Sequence, residues 1–550
     1  MMRQIVLWCV VGLTCLGHAY AAKADLWQAD LADGTYQNPV LPLDYSDPDV
    51  VAVGDDFYLT ASSFNAAPGL PILHSTDLVN WTLINYALPR QVPETRFAAP
   101  QHGNGVWAPN IRYHDNRYWI FYPDPDAGIY MIQASNPSSS WSKPKLILDG
   151  KGIIDPTPLW DDDGNAYLLH AWAKSRAGFN NVLSLHKMTP DGQSAEQDYT
   201  TIVDGNKIDG YRTLEGPKFY KRNGYYYIFA PVGGVDLGDQ AVFRSKNIMG
   251  PYEHRTVMTQ GNTAVNGPHQ GAWIHTQAGE DWFMHFQARH AYGRIVHLQP
   301  MQWHNDWPVI GEDKDGNGIG QPVIRYKKPK THEVSDIKYL SFDDEFNPKG
   351  LALAWQWNAN PQPDWYSLTS RPGWLRLQSQ LGTQDQTANL WTQPALLLQK
   401  LPAPVFNVTT KIDVRRMGKS SRSGLLLFGE NYAWIGVKSD AQDQNAVVMV
   451  HCKNARKGCD ESVVEQLPLQ GNVLELRITL QRGASAVFAY KMNEQTDFKA
   501  LGEHFMATKG RWVGAKIGLF SETTSVEQAG SVDVDYVRFT LPDGVTLPID

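Results

Sequence analysis

Ser46-Asp47-Pro48-Asp49 is followed a few residues later by Asp55-Asp56-Phe57-Tyr58-Leu59-Thr60-Ala61, a polar start that runs into aromatic and aliphatic residues. The same order returns four more times. Trp107-Ala108-Pro109-Asn110 precedes Asp115 to Tyr122, and Ile154-Asp155-Pro156-Thr157 precedes Asp162 to His170. Glu215-Gly216-Pro217-Lys218 precedes Lys221 to Phe229, and Gly267-Pro268-His269-Gln270 precedes Glu280 to Gln287. The prolines are spaced by 61, 47, 61 and 51 residues. A loose period near fifty, made of a turn and a strand, is the pattern of repeated blades that must close radially. Five copies predict a five-bladed β-propeller over 35–325.

The character of the chain changes after that point. Arg325-Tyr326-Lys327-Lys328-Pro329-Lys330 is basic and Pro-containing, so 326–340 reads as a linker. From 341 to 550, alternation is clean in Leu425 to Phe428, Trp434 to Lys438, Ala446 to Val450, Val473 to Ile478, Ala486 to Tyr490, Lys516 to Phe520 and Val532 to Phe539. Short strands between polar turns predict a β-sandwich. Neither half carries a sustained helical period, so the expected fold is all-β, a propeller followed by a sandwich. A chain of 550 residues suits two cores better than one.

With 19 Trp and 24 Tyr but only 19% charged residues, the chain has a surplus of flat apolar surface. Such surface suits the CH faces of sugar rings, and it also fills β cores. The net charge of −8, without a basic tract, argues against a nucleic-acid partner, because neutralising phosphates requires clustered Lys and Arg. Arg3, the apolar run Ile5 to Leu16 and Ala19-Tyr20-Ala21 read as an export signal over 1–21. That run is too short for a membrane span, so the mature chain is expected to be exported, to the periplasm or the exterior, with no span. Cys9 and Cys15 leave with the signal, and Cys452 and Cys459 are expected to pair as a local staple in an oxidising compartment.

A propeller gathers the turn-bearing ends of its blades around one funnel, which brings Asp47, Asp155 and Glu215 together. Three carboxyls at one mouth cannot ionise independently, so repulsion and partial burial raise at least one pKa. The result is a proton donor beside a base, the pair that glycoside cleavage needs. Each motif alone also makes an ordinary turn.

Tyr36-Gln37-Asn38-Pro39-Val40-Leu41 and Tyr45-Ser46-Asp47-Pro48-Asp49-Val50 add a further likeness. With Ser62-Ser63-Phe64, Pro68-Gly69, His74-Ser75-Thr76-Asp77-Leu78 ending in Trp81, Val106-Trp107-Ala108-Pro109, Ile154-Asp155-Pro156, Glu215-Gly216-Pro217 and Tyr292-Gly293-Arg294, residues 36 to 325 resemble glycoside hydrolase family 43. Members are five-bladed inverting glycosidases, many acting on plant cell walls. The resemblance implies that Asp47 is the general base, Glu215 the general acid and Asp155 the carboxyl that tunes and orients that acid, raising its pKa by like charge. It further implies that Phe64 and Trp107 wall the terminal-sugar pocket and that Arg294 donates to sugar hydroxyls. His269 corresponds to a histidine that lies near the channel and helps hold a cation or its waters; a core histidine is the alternative. Phe342-Asp343-Asp344-Glu345-Phe346 and Val534-Asp535-Tyr536-Val537 bracket a domain resembling the concanavalin A-like sandwich fused to such propellers, a loop of which can shape the pocket. Ser46 departs from the proline common before the base.

No cofactor is required by this reading. Asp313-Lys314-Asp315-Gly316-Asn317-Gly318 has the oxygen ligands that begin a Ca²⁺ loop, but Ile324 stands where a closing Glu belongs. The expected substrate is a plant hemicellulose carrying a terminal pentose. α-L-arabinofuranose is preferred because Asn65-Ala66-Ala67 would leave room for a branched backbone, and β-D-xylose is the alternative. A non-catalytic secreted sugar-binding protein is a further alternative. Retaining fructan enzymes are disfavoured, since no Asn-Asp-Pro-Asn-Gly motif is present.

Overall fold

The computed structural model describes residues 26–547, except 332–336, 338–339, 341, 383–388, 493–494, 526 and 528. The export signal expected over 1–21 lies outside the described residues, as does much of the expected linker.

Five four-stranded antiparallel sheets cover 49–88, 110–149, 153–204, 218–258 and 269–310, and within each sheet the strands follow chain order. The strand at the head of each sheet is innermost: β1 (Asp49–Val53), β2 (Asn110–His114), β3 (Ile153–Trp160), β4 (Lys218–Arg222) and β5 (His269–His275). β5 packs against β1, which closes the ring.

The aromatic runs visible in the sequence are the second strands of these sheets. They stand out because both of their faces are buried, so they read as near-continuous apolar runs. Successive residues serve opposite neighbours. Ile120 packs toward the first blade and Phe121 toward the third, while Leu168 faces the second and Leu169 the fourth. Ile228 and Phe229 divide likewise, and Phe283 meets the fourth blade while Met284 meets the first. Five interblade cores result.

Thr35–Gln37 pairs with Arg325–Lys327, fastening the start of the propeller to its end. Residues 326 and 327, read as linker, therefore belong to the propeller. Lys328 extends the clasp, its ammonium lying 2.9 Å from Asp77 Oδ2.

The second half folds into two eight-stranded sheets packed face to face. In Val473–Leu480 the residues Leu474, Leu476, Ile478 and Leu480 are buried, and Glu475 and Arg477 between them face outward. Each strand expected from alternation lies inside an observed one, because period two with one wet face is the pattern a sandwich imposes. Cys452 and Cys459 are disulfide-bonded across the short turn Ala455–Lys457.

Candidate active site

The Pro turns sit at the heads of the five inner strands, so their side chains converge at one end of the ring. Asp47, Phe64, Trp107, Asp155, Glu215, His269 and Arg294 line one cavity of about 120 Å³, together with Gln270 and Trp512. In four of the five turns the residue before proline has a left-handed backbone: Asp47 (φ 55°), Asp155 (φ 56°), Gly216 (φ 59°) and Gly267 (φ 46°). Glu215 thus stands one residue ahead of the position that Asp47 and Asp155 share. At 216 glycine adopts this φ without strain, and an added Cβ would lie 2.8 Å from the Gln270 side chain. The two aspartates have no such exemption, and holding a non-glycine residue there costs about 1–3 kcal/mol, strain of the kind that accumulates at working sites.

Asp47 is held on both carboxyl oxygens. Its Oδ2 accepts hydrogen bonds from Ser46 Oγ and Ser62 Oγ, both at 2.6 Å, and Arg294 Nη1 approaches Oδ1 at 3.0 Å. The same Nη1 donates to Ser46 Oγ at 2.6 Å. Arg294, expected to donate to sugar hydroxyls, lines the cavity with this nitrogen on Asp47 and its guanidinium 4.8 Å over Phe286. Ser46, noted only for not being proline, is a working member of the site. Its hydroxyl donates to Asp47 and accepts from Arg294, linking the carboxyl to the guanidinium.

Asp155 is buried, and Gly216 N–H donates to its Oδ2 at 2.7 Å. Burial and then the charge of Glu215 push its pKa up to about 8, with Asp47 adding to the rise; the Gly216 N–H and Lys218 oppose it. Like-charge repulsion within the pair is felt at Asp155, whose carboxyl is displaced upward. Both carboxyls line the cavity, and Glu215, whose side chain is 27% exposed, is the more open of the two.

Beneath the carboxyls lies a cation that the sequence did not suggest. Lys218, three residues after Glu215 on β4, is 1% exposed, with its ammonium 3.3 Å from Pro109 O and 3.6 Å from Asp49 Oδ1. Asp49 also takes Arg112 Nη1 at 2.8 Å. Burial pulls the Lys218 ammonium pKa down, and Asp49 leads the carboxylates that draw it back up. Lys218 and Arg112 thus flank the buried Asp49 carboxylate, one on each oxygen.

His269 is buried, and its Nε2 lies 3.4 Å from Glu215 Oε1, a contact that falls short of hydrogen-bond geometry. Among the described residues no three His, Cys, Asp or Glu side chains come together as a metal would require. At the second expected cation position, the Asp313 carboxylate accepts the backbone N–H groups of Asn317 and Gly318, as in a plain Asx-type turn.

The sandwich completes the pocket. Trp512 stands on a left-handed residue (φ 64°), with its ring 6.4 Å from that of Trp107 and nearly perpendicular to it. Its loop is clasped to the propeller by Asp44, whose Oδ1 accepts Arg294 N–H and whose Oδ2 accepts Gly514 N–H, both at 2.8 Å. Backbone meets backbone here, since a Cβ at Gly514 would lie 2.7 Å from Gly293 N.

Asn65-Ala66-Ala67 does not open space beside the pocket. Asn65 Nδ2 donates to Asn358 O at 2.7 Å, and Ala67 exchanges backbone hydrogen bonds with Trp357, so all three residues are buried against the sandwich. Their small size serves domain docking.

Residues 36–308 match Glycosyl hydrolases family 43, and 343–540 match the Beta xylosidase C-terminal Concanavalin A-like domain. A putative beta-xylosidase of Xylanibacter ruminicola is 36% identical over 490 residues, covering 89% of this chain and 86% of that protein. A non-reducing end alpha-L-arabinofuranosidase of Bacteroides ovatus is 27% identical and covers 94% and 97%. Among solved structures, a xylan beta-1,4-xylosidase from Bacillus halodurans superposes with a TM-score of 0.81 at 26% identity, covering 92% of this chain and 99% of that one.

Proposed function

This chain belongs to glycosyl hydrolase family 43, and from that premise we propose that it is an exo-acting, inverting hydrolase that releases a terminal pentose from plant hemicellulose, β-D-xylose being the first reading. The observation that carries the mechanism is the unlike treatment of three carboxyls in one cavity: Asp47 gripped by two hydroxyls and a guanidinium, Asp155 buried with a raised pKa, and Glu215 facing outward. In this mechanism Glu215 gives its proton to the leaving oxygen. Asp47 takes a proton from a water that attacks C1 from the opposite face, so one bond forms as the other breaks and the configuration inverts. Asp155 acts through Glu215, keeping a proton on the pair. Trp512, reaching in from the sandwich, walls the cavity and favours chain ends over internal bonds.

Xylose stands ahead of arabinofuranose because the room once counted for a branched backbone is filled by Trp357 and Asn358. Arabinofuranose remains the second reading, supported by the Bacteroides ovatus relative. Export after cleavage of 1–21 belongs to the same proposal, and the Cys452–Cys459 disulfide agrees with it.

The deciding experiment compares nitrophenyl β-D-xyloside with nitrophenyl α-L-arabinofuranoside, with Asp47→Ala as control, and follows the anomer first formed by NMR. Xyloside preference with an α-xylose first product is expected. Retention of configuration would overturn the mechanism, and an arabinofuranoside preference would reverse the choice of sugar.

A further inference from the structure

The third blade carries a second aromatic surface outside the pocket. Trp172 ends the strand Ala166–Trp172, where it pairs with Ile153, the neighbour of pocket-lining Ile154. Its indole is fixed, because Nε1 donates to Ser184 Oγ at 2.9 Å. The rings of Phe179 and Tyr199 lie 4.9 and 5.5 Å from it. Phe179 is 41% exposed and Tyr199 48%, although burying either would be favourable. Exposed apolar surface grouped in this way marks a place that something else covers.

The segment that presents Phe179 is anchored to the pocket wall. Lys174–Ala177 forms one helical turn, stopped by Gly178 in a left-handed conformation. Arg176 within it donates to Asn104 Oδ1 at 2.6 Å and to Asp126 Oδ1 at 3.2 Å, and its guanidinium lies 5.4 Å over the ring of Trp107. The aromatic surface therefore begins where the cavity ends, on the Trp107 side. A glycan whose terminal residue fills the cavity, and whose remaining units leave across that wall, meets Trp172, Phe179 and Tyr199 in turn.

We propose that these three rings form a leaving-group subsite that stacks on the pyranose backbone of a β-linked pentosan chain, so that the enzyme binds an oligosaccharide and not the terminal sugar alone. Unsubstituted pyranose rings present flat CH faces, and Phe179 and Tyr199, tilted 42° and 55° to the Trp172 ring that both touch, offer separate aromatic faces to neighbouring sugars. The inference rests on the pocket receiving the non-reducing end.

The test uses the full chain carrying Phe179→Ala together with Tyr199→Ala, two exposed positions remote from the carboxyls. Hydrolysis of nitrophenyl β-D-xyloside, which lacks a sugar chain, is expected to stay within about twofold of the parent. kcat/KM on xylopentaose is expected to fall about tenfold, through KM, as loss of two stacking contacts implies. Phe179→Trp is expected to restore it. Equal effects on both substrates, or no effect on xylopentaose, would overturn the subsite. Calorimetric titration of xylopentaose into the Glu215→Gln protein, with and without the ring substitutions, reads the subsite without turnover. Weaker binding on loss of the rings sustains the subsite even where the assignment of the sugar fails, and unchanged binding removes it.

Discussion

Asp155→Asn should make the protein more stable while making it a worse enzyme, and the size of the gain should depend on pH. The native fold raises the Asp155 pKa from 3.8 to about 8, chiefly through burial and the charge of Glu215. Below pH 4 the carboxyl is protonated in both folded and unfolded chains and contributes nothing. Between pH 4 and 8 the unfolded chain releases this proton and the folded chain keeps it, so native stability falls as pH rises, by about 1.4 kcal/mol per unit. Over the whole window the ceiling is roughly 6 kcal/mol. The gain expected of the substitution is about 2–3 kcal/mol, the upper range for a single replacement that relieves one buried group. Asparagine has no charge to lose and keeps an oxygen for the Gly216 N–H. Thermal melting of parent and variant at matched pH should show no gain near pH 4 and a gain of about 5 °C at pH 8, taking roughly 2 °C per kcal/mol for a domain of this size. An offset that is the same at pH 5 and pH 8, or a variant that melts lower throughout, would show that the fold does not hold this carboxyl protonated.

Asp47→Ala should lower kcat on the order of 10³-fold with the fold intact by circular dichroism, and near-normal turnover would remove Asp47 as base. Glu215→Gln should depress hydrolysis of xylobiose far more than that of an aryl xyloside with a good leaving group, because only the former needs protonation; equal losses would move the acid elsewhere. Asp44→Asn turns one acceptor toward a backbone N–H as a donor, releasing either Gly514 or Arg294, and it also removes the carboxylate beside the buried ammonium groups of Lys400 and Lys516. KM should rise severalfold as Trp512 loosens, and melting should fall by the equivalent of about 3 kcal/mol, the scale for an uncompensated buried charge. Unchanged KM alongside lowered stability would mean that Trp512 does not depend on this clasp.

The order of turns and strands was enough to identify five blades and a sandwich. Pro turns are local chemistry, and alternation is imposed on any strand with one wet face, as in Val473–Leu480. The carboxyls were legible for the same reason, since each sits in a turn whose place in the repeat is countable. The innermost strands were less legible, because several, such as Asn110–His114 and Lys218–Arg222, are only five residues long and mix polar with apolar residues; the runs that stand out, such as Arg117–Asp124, are second strands buried on both faces.

The tertiary structure decided whatever depends on distance through space. Trp512 reaches the cavity from 405 positions beyond Trp107, Asn65-Ala66-Ala67 proves to be a docking surface, and Ser46 gains its role only because Arg294 folds back onto Asp47. The upward displacement of Asp155 is likewise a matter of burial and of nearby charge, that of Glu215 first. Local pattern specifies which groups the chain carries and on which strand they ride. Their protonation, partners and exposure are set by desolvation and by contacts between residues far apart in the chain, and those exist only once the ring has closed and the sandwich has docked.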